Sequence, residues 1–558
     1  MRRARLALAA IGVAMAMTAC GDQGGTTEVH DVRILTGPRF WTGDPARPWA
    51  DALAVVNGRI QRLLTREELG REVAVGATVA TLPGAVAVPG LTDAHGHIVG
   101  YGLSRRRADL RGARTVDEAL ARIASYAAQH PDDPWILGRG WDQNDWPGKA
   151  WPDADQLERV TGGRPCLLSR VDGHAAWVNR AALRLAGVDA RTPDPPGGTI
   201  HRDGAGEPTG ILVDAATEIV EKAVPPPSDA AIEDALEIAG RELTALGLTG
   251  AHEMGTDRRR WEAMRRLAAD GRFPLRVTAY ADAGTDLQRD LEKSGPQQQG
   301  RLRLVGIKFY ADGALGSRGA RLLAPYADAP GQLGLWLTPP EKLQADIRAA
   351  RERGLQPAVH AIGDAANRAV LDALDGSAGA LARLRVEHVQ VLDPADIARF
   401  ASADVVASMQ PTHATSDRPW AGERLGPSRV AGAYAWGALL HAGAHLAFGS
   451  DFPVELPDPR LGLYAAVTRQ DLDGDPPGGW MPDQRLSLEQ ALAAFTSGAA
   501  WAAQQEGELG RLAPGYWCDL TVFERDPFAA APDDIPEIPV AAVVIAGQNV
   551  ASRVPDTR

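Results

Sequence analysis

The chain has 558 residues, 45% of them apolar and 23% charged, and a net charge of −12. This is the composition of a soluble globular protein, too long for one ordinary core and therefore expected to hold two or more domains. The acidic balance, with no basic stripe anywhere, excludes a nucleic-acid partner, and three cysteines are too few for a disulfide framework.

The chain opens "MRRARLALAAIGVAMAMTAC". Three arginines, a short apolar run and small residues before Cys20 read as a secretory signal over residues 1–19, too short to span a bilayer as a stable helix. A cysteine directly after the small residues resembles a bacterial lipobox. Cys20 is therefore expected to be lipidated, residues 20–28 to form a tether, and the protein to be exported and membrane-anchored, facing the periplasm or the cell exterior.

Next come the strand-like "HDVRILTG" and "ALAVVNGRIQRLL", the second with an Asn-Gly hairpin signal. At the other end, "YWCDLTVFERDP" and "VAAVVIAGQNVA" have the same character. The economical reading is a small β-sandwich built from both chain ends, residues 29–84 and 507–555, around a larger domain at 85–506.

That middle alternates apolar strand-like runs with Ala- and Arg-rich helical stretches, so an α/β fold with a parallel sheet is expected. The strand candidates are "AVPGLTDAH", "CLLSRVD", "GLTGAHE", "LRVTAYA", "LVGIKFYADG", "PAVHAIGD", "LRVEHVQ", "VVASMQPTH" and "LAFGSDFPV". One is too many for a (β/α)8 TIM-type barrel. The stretch from about 104 to 245 is long, irregular and Pro/Trp-rich, so "CLLSRVD" is assigned to an insertion after barrel strand 1 that caps the barrel.

With the remaining eight strands counted in order, the chemistry falls into register. In "DAHGH", His95 and His97 stand at the end of strand 1, where residues i and i+2 of an extended chain share a face. Lys308 lies in strand 4, His360 ends strand 5, His388 ends strand 6 and Asp451 ends strand 8. All lie toward the C-terminal strand ends, the face on which this architecture carries its active sites.

The stretches "PGLTDAHGH", "RVDGHAAWVN", "IKFYADGALGSRGA", "VHAIGD", "VEHVQ", "GSDFPV" and "LGRLAPGYWCDLTVFERDP" resemble the amidohydrolase superfamily. The branch is amidohydrolase family 3, which includes N-substituted formamide deformylase-like enzymes. The resemblance runs from residue 88 to 527 and implies a metal-dependent hydrolase acting on an amide-type, non-peptide C–N bond. It also implies two divalent ions, with His95, His97 and Asp451 holding the first and His360 and His388 the second. Imidazole and carboxylate suit Zn²⁺, with Mn²⁺, Fe²⁺ or Co²⁺ also possible by geometry. Lys308, buried beside cations, would be neutral enough to add CO₂ and bridge both ions as a carbamate. Asp451 would take the proton of the attacking hydroxide and hand it to the leaving amine.

Two departures refine the subclass. "HAIGD" lacks the His-x-x-Glu that mononuclear deaminases of the superfamily commonly carry after strand 5, and "GLTGAHEMG" has no bridging cysteine of the D-aminoacylase kind. A deaminase or cyclic-amide hydrolase on the same scaffold is the first alternative, and a non-catalytic ligand-binding lipoprotein the second. The complete ligand set argues against the second.

Other polar residues carry two readings each. Arg170, Asp172 and His174 crowd "SRVDGHAAWVN" as a substrate-facing cap or a polar turn. Arg318, in "ADGALGSRGA", meets a substrate carboxylate or sits in a loop that simply turns the chain. His413, after strand 7, contacts substrate or makes a cap hydrogen bond. His252 lines the pocket or packs in the core, and Trp135, Trp141, Trp146 and Trp151 wall a pocket or fill the insertion. Asp312 is expected to order its loop and not to bind metal. A small-molecule substrate is expected, and a homodimer is possible on the exposed barrel helices.

Overall fold

The computed structural model describes residues 32–170, 175–195, 198–374 and 382–552. The signal segment, Cys20, the tether, Asp172 and His174 lie outside the described residues.

Eight parallel strands form the central sheet in sequential order: β1 (Leu91–Gly96), β2 (Leu248–Thr256), β3 (Arg276–Asp282), β4 (Leu302–Tyr310), β5 (Gln356–Ala361), β6 (Arg385–His388), β7 (Val406–Met409) and β8 (His445–Phe448). Most of their residues are buried, as expected where helices cover a parallel sheet. Beyond the last rung of β8 the ring is drawn together at β1. Asp451 N–H donates to the His95 carbonyl at 2.7 Å and His97 N–H to the Phe452 carbonyl at 2.8 Å. This seam puts three of the expected ligands beside one another by main-chain bonds alone.

Asp93 fastens the same seam from beneath. Its carboxylate accepts from the His95 N–H at 3.0 Å and from the Ser450 hydroxyl at 2.7 Å, so one buried acid ties β1 to the segment after β8. Burial pushes its pKa up to about 7 against these donors.

The chain ends pack as two sheets. One runs Arg59–Leu64, Ala52–Val56, Val32–Thr36, Val79–Thr81. The other combines both ends, with Leu520–Phe523 pairing antiparallel to Val86–Pro89, the strand that leads into β1. Leu35, Leu53 and Ile60 from the first sheet share a core with Phe40, Ala87, Leu520 and Val544 from the second. Asn57 and Gly58 both hold positive φ, the type I′ geometry that the Asn-Gly pair selects. The sandwich is fixed to the base of the barrel by the Arg276–Asp519 ion pair and by Thr521, whose hydroxyl donates to the Gly247 carbonyl at 2.7 Å.

Between β1 and β2 stands a six-stranded mixed sheet, ordered Gly198–Arg202, Pro208–Asp214, Ala175–Val178, Cys166–Arg170, Ile136–Trp141, Ala108–Asp109. "CLLSR" thus lies in this sheet and not in the barrel. Trp141, Trp146 and Trp177 form its core with ring centroids 6.0 to 6.2 Å apart, and each indole N–H is donated to a main-chain carbonyl. They are core and not pocket wall, while Trp151 is the exposed member of the group. Helix α1 (Ile98–Arg105) packs on helix α2 (Asp229–Ala245), a segment that the expected boundary at 245 counted with the insertion. Gly102 marks the closest approach: a Cβ there would lie 1.9 Å from the Ala235 carbonyl oxygen. Tyr101 and Arg105 both bind Glu242, at 2.7 and 2.9 Å. Cys166 and Cys518 are buried and free.

Candidate metal centre

Six side chains from strands β1, β4, β5 and β6 and the segment after β8 converge above the barrel. The His95 and His388 ring centroids are 4.7 Å apart, His360 and His388 4.6 Å, and His95 and His97 5.7 Å. Asp451 Oδ1 is 3.1 Å from His97 Nε2 and 3.5 Å from His95 Nε2. Among the described residues, two groups have donor atoms close enough to hold an ion: His95, His97 and Asp451, and His388, His413 and Asp451. Asp451 belongs to both. His413, read as a substrate contact or a cap, stands with its Nε2 3.9 Å from Asp451 Oδ2.

Burial keeps most of these imidazoles neutral. It takes His95 down to about 4 and His360 to about 3, with Lys308 adding to the effect, and holds His388 well below the usual range. Neutral imidazole is the ligand form. For His97 burial works in the same direction, but the Asp451 carboxylate outweighs it and raises the pKa. Asp451 is itself held well below the carboxylate range, because His95, His97 and His388 overcome the cost of burial. Lys308 is 1% exposed, and burial lowers its pKa against the attraction of Glu387 and Asp451.

The donor set fits a cation for a second reason. The Nε2 atom of His360 is buried with no hydrogen-bond partner, and Asp451 Oδ1 meets its two imidazoles without hydrogen-bond geometry. Buried polar atoms are rarely left in this state. Backbone strain collects at the same place: His388, Val389 and Asp451 hold φ of 78°, 48° and 60°, where a non-glycine residue costs about 1–3 kcal/mol.

A further set of residues escaped the sequence reading and orients these histidines. Glu387 Oε2 accepts from His95 Nδ1 at 2.7 Å, and Gln410 Oε1 accepts from His388 Nδ1 at 3.0 Å. Each acceptor fixes the proton on Nδ1 and turns the Nε2 lone pair toward the centre. Glu387 sits next to His388 in "VEHVQ". Strand alternation aims it into the barrel, which was the one signal available. Arg385 and Tyr280 lie beneath, and His252 Nδ1 accepts from Arg385 at 2.8 Å, which makes His252 a buried residue of the barrel interior.

The remaining candidates have partners of their own. Arg170 pairs with Asp142 at 2.6 Å and with Gln143 at 2.9 Å inside the six-stranded sheet. Arg318 grips Asp328 at 2.8 and 3.1 Å. Neither is brought to the histidines by these contacts. Asp312 accepts from the Ile362, Gly363 and Arg321 N–H groups at 3.0, 2.8 and 2.7 Å and so orders the turn after β5. Its Oδ1 is 3.7 Å from His360 Nε2.

Residues 79–551 match the model of the amidohydrolase family. The chain is 37% identical to the putative amidohydrolase YtcJ of Bacillus subtilis, over 84% of this chain and 90% of the relative. It is 27% identical to the N-substituted formamide deformylase of Arthrobacter pascens, over 93% and 98% of the two chains. A crystal structure of an uncharacterized metal-dependent hydrolase from Pyrococcus horikoshii superposes with a TM-score of 0.77 at 27% identity, covering 90% of this chain and 99% of that one. The chain belongs to the amidohydrolase family.

Proposed function

We propose that this member of the amidohydrolase family hydrolyses an amide-type, non-peptide C–N bond, with an N-substituted formamide or another N-acyl amine as substrate class. One observation carries the reading: His95, His97, His360, His388 and Asp451 converge at the C-terminal end of one barrel beside a buried lysine, with His360 Nε2 and Asp451 Oδ1 left without a hydrogen bond. The deformylase likeness, spanning nearly the full length of both chains, supports the substrate class.

His95, His97 and Asp451 would hold one divalent ion and His360 and His388 a second, and this N/O donor set suits Zn²⁺ or another first-row ion. Such ions supply Lewis acidity and lower the pKa of water toward 7. Lys308, desolvated and reduced in basicity, is the group able to add CO₂ as a carbamate and offset the charge of two cations. Asp451, ionised at neutral pH, takes the proton of the attacking water. It then delivers that proton to the departing nitrogen, so the amine leaves neutral. Glu387 and Gln410 hold the two imidazoles in their ligand tautomers throughout.

The test is a substrate panel on protein loaded with zinc and bicarbonate, read by mass spectrometry of released amine and carboxylate. Release from N-formyl or N-acyl amines, lost in Asp451→Asn, supports the reading. Ammonia release from aminated heterocycles without amide cleavage would replace it with a deaminase. From the N-terminal sequence we propose in addition that the enzyme lies outside the cytoplasm, anchored through Cys20. Cys20→Ser should move it from the membrane fraction to the soluble fraction, and an unchanged distribution would remove the anchor.

A further inference from the structure

The histidines above the barrel differ in what holds their Nδ1 atoms. At His95 and His388 the neighbour is an oxygen, Glu387 Oε2 at 2.7 Å and Gln410 Oε1 at 3.0 Å. Both rings therefore carry their proton on Nδ1 and present a lone pair at Nε2. At His413 the neighbour is a nitrogen: the Gln390 amide, Nε2, lies 3.1 Å from Nδ1. An amide NH₂ only donates, so Nδ1 must accept and the ring proton sits on Nε2. The main-chain carbonyl of Gln390 accepts the Tyr434 N–H at 2.7 Å, which holds the backbone that carries this amide.

His413 Nε2 is buried without a partner and faces the centre, 3.9 Å from Asp451 Oδ2, with its ring stacked 6.1 Å from that of His388. A ring protonated at Nε2 cannot ligate through that atom. A desolvated N–H with nothing to bond is instead a donor that lacks its acceptor.

We propose that His413 is a catalytic hydrogen-bond donor to the substrate carbonyl oxygen and not a metal ligand, an assignment that rests on the amide-hydrolysis reading. As the water oxygen forms its bond to the carbonyl carbon, the carbonyl π pair moves onto oxygen, and the His413 Nε2–H bonds to that growing negative charge. The proton stays on His413. When the C–N bond breaks, the pair returns to form the product carbonyl and the nitrogen takes its proton from Asp451. Preorganised donors of this kind contribute about 10²–10³-fold in kcat.

The experiment compares His413→Ala, His388→Ala and Gln390→Glu with wild type, by metal content per chain and by kcat and KM on an N-formyl amine. His413→Ala should keep the wild-type metal content and lose about 10²-fold in kcat with a smaller change in KM. His388→Ala should lose metal. Gln390→Glu places an acceptor at Nδ1, which pulls the proton off Nε2, so kcat should fall with His413 still present and metal content unchanged. Metal loss in His413→Ala, or an unchanged kcat in it, overturns the assignment. A wild type that holds metal but cleaves no amide fails the amide reading. In that case the metal content of His413→Ala still decides between donor and ligand: retention supports the donor and loss overturns it.

Discussion

Two layers of buried polar side chains lie in the same barrel, one in its interior and one at its mouth. In the interior, Arg385 is fully buried and donates to Glu387, to His252 Nδ1 at 2.8 Å, to the Tyr280 hydroxyl and Ser408 hydroxyl at 3.2 Å, and to the Ala94 carbonyl at 2.7 Å. Tyr280 passes its own hydrogen on to Gln356 at 2.7 Å. At the mouth, the Nε2 atoms of His360 and His413 have no partner and Asp451 Oδ1 has none with hydrogen-bond geometry. The interior layer is complete within the chain and behaves as a structural plug. The mouth layer is complete only with something added, and Glu387 joins the two by facing Arg385 on one side and His95 on the other.

The comparison breaks most visibly at Asp451. Asp451→Asn should lower kcat by about 10³-fold or more while leaving the melting temperature near wild type, because the mouth layer serves chemistry. A wild-type rate would remove Asp451 from proton transfer. Arg385→Met should do the opposite. It leaves Glu387 charged and buried, and a broken buried pair costs about 3–5 kcal/mol, measurable by urea denaturation. Arg385→Met with Glu387→Leu should recover much of that loss while weakening metal retention through His95. A stable Arg385→Met single variant would contradict the plug.

Asp312 sharpens the boundary between the layers through pH. Burial takes its pKa to about 7 in the folded protein, against an ordinary 3.8. Between those values the unfolded chain binds fewer protons than the folded one, so this group's contribution to stability falls as pH rises from about 4 to about 7. Asp312→Asn should flatten that decline. It should also cost about 1–3 kcal/mol where one of three N–H donors loses its acceptor. An identical pH slope in the variant would place the titration elsewhere. The smallest effect belongs to Arg318→Ala, which breaks a half-exposed pair with Asp328 and should leave both turnover and melting temperature unchanged. A raised KM would return Arg318 to the substrate site.

The convergence of these side chains was legible in the sequence because each of them ends or closely follows an apolar run. His-x-His after "VPGLTDA", the lysine in "GIKFYADG" and the aspartate in "GSDFPV" all mark C-terminal strand ends once eight strands are counted. The plug was not legible. Arg385 and Glu387 alternate with Val386 and His388, a pattern that reads equally well as a strand with one solvated face. Only closure of the barrel shows that the polar face is the inside. The pairings of Arg170 with Asp142 and of Arg318 with Asp328 were hidden for a related reason, since loop partners at arbitrary spacing leave no periodic signal. The packing of helix α2 on α1 left no sequence signal either, because it is a contact across the whole intervening sheet.

The most direct test of the unsatisfied mouth as a metal centre is metal content per chain, by elemental analysis of protein equilibrated with zinc and bicarbonate. The assignment predicts two ions per chain in wild type and one in Lys308→Ala, with Arg318→Ala equal to wild type. No bound metal, under conditions that load a known zinc enzyme, would contradict it and leave the converging histidines without a ligand.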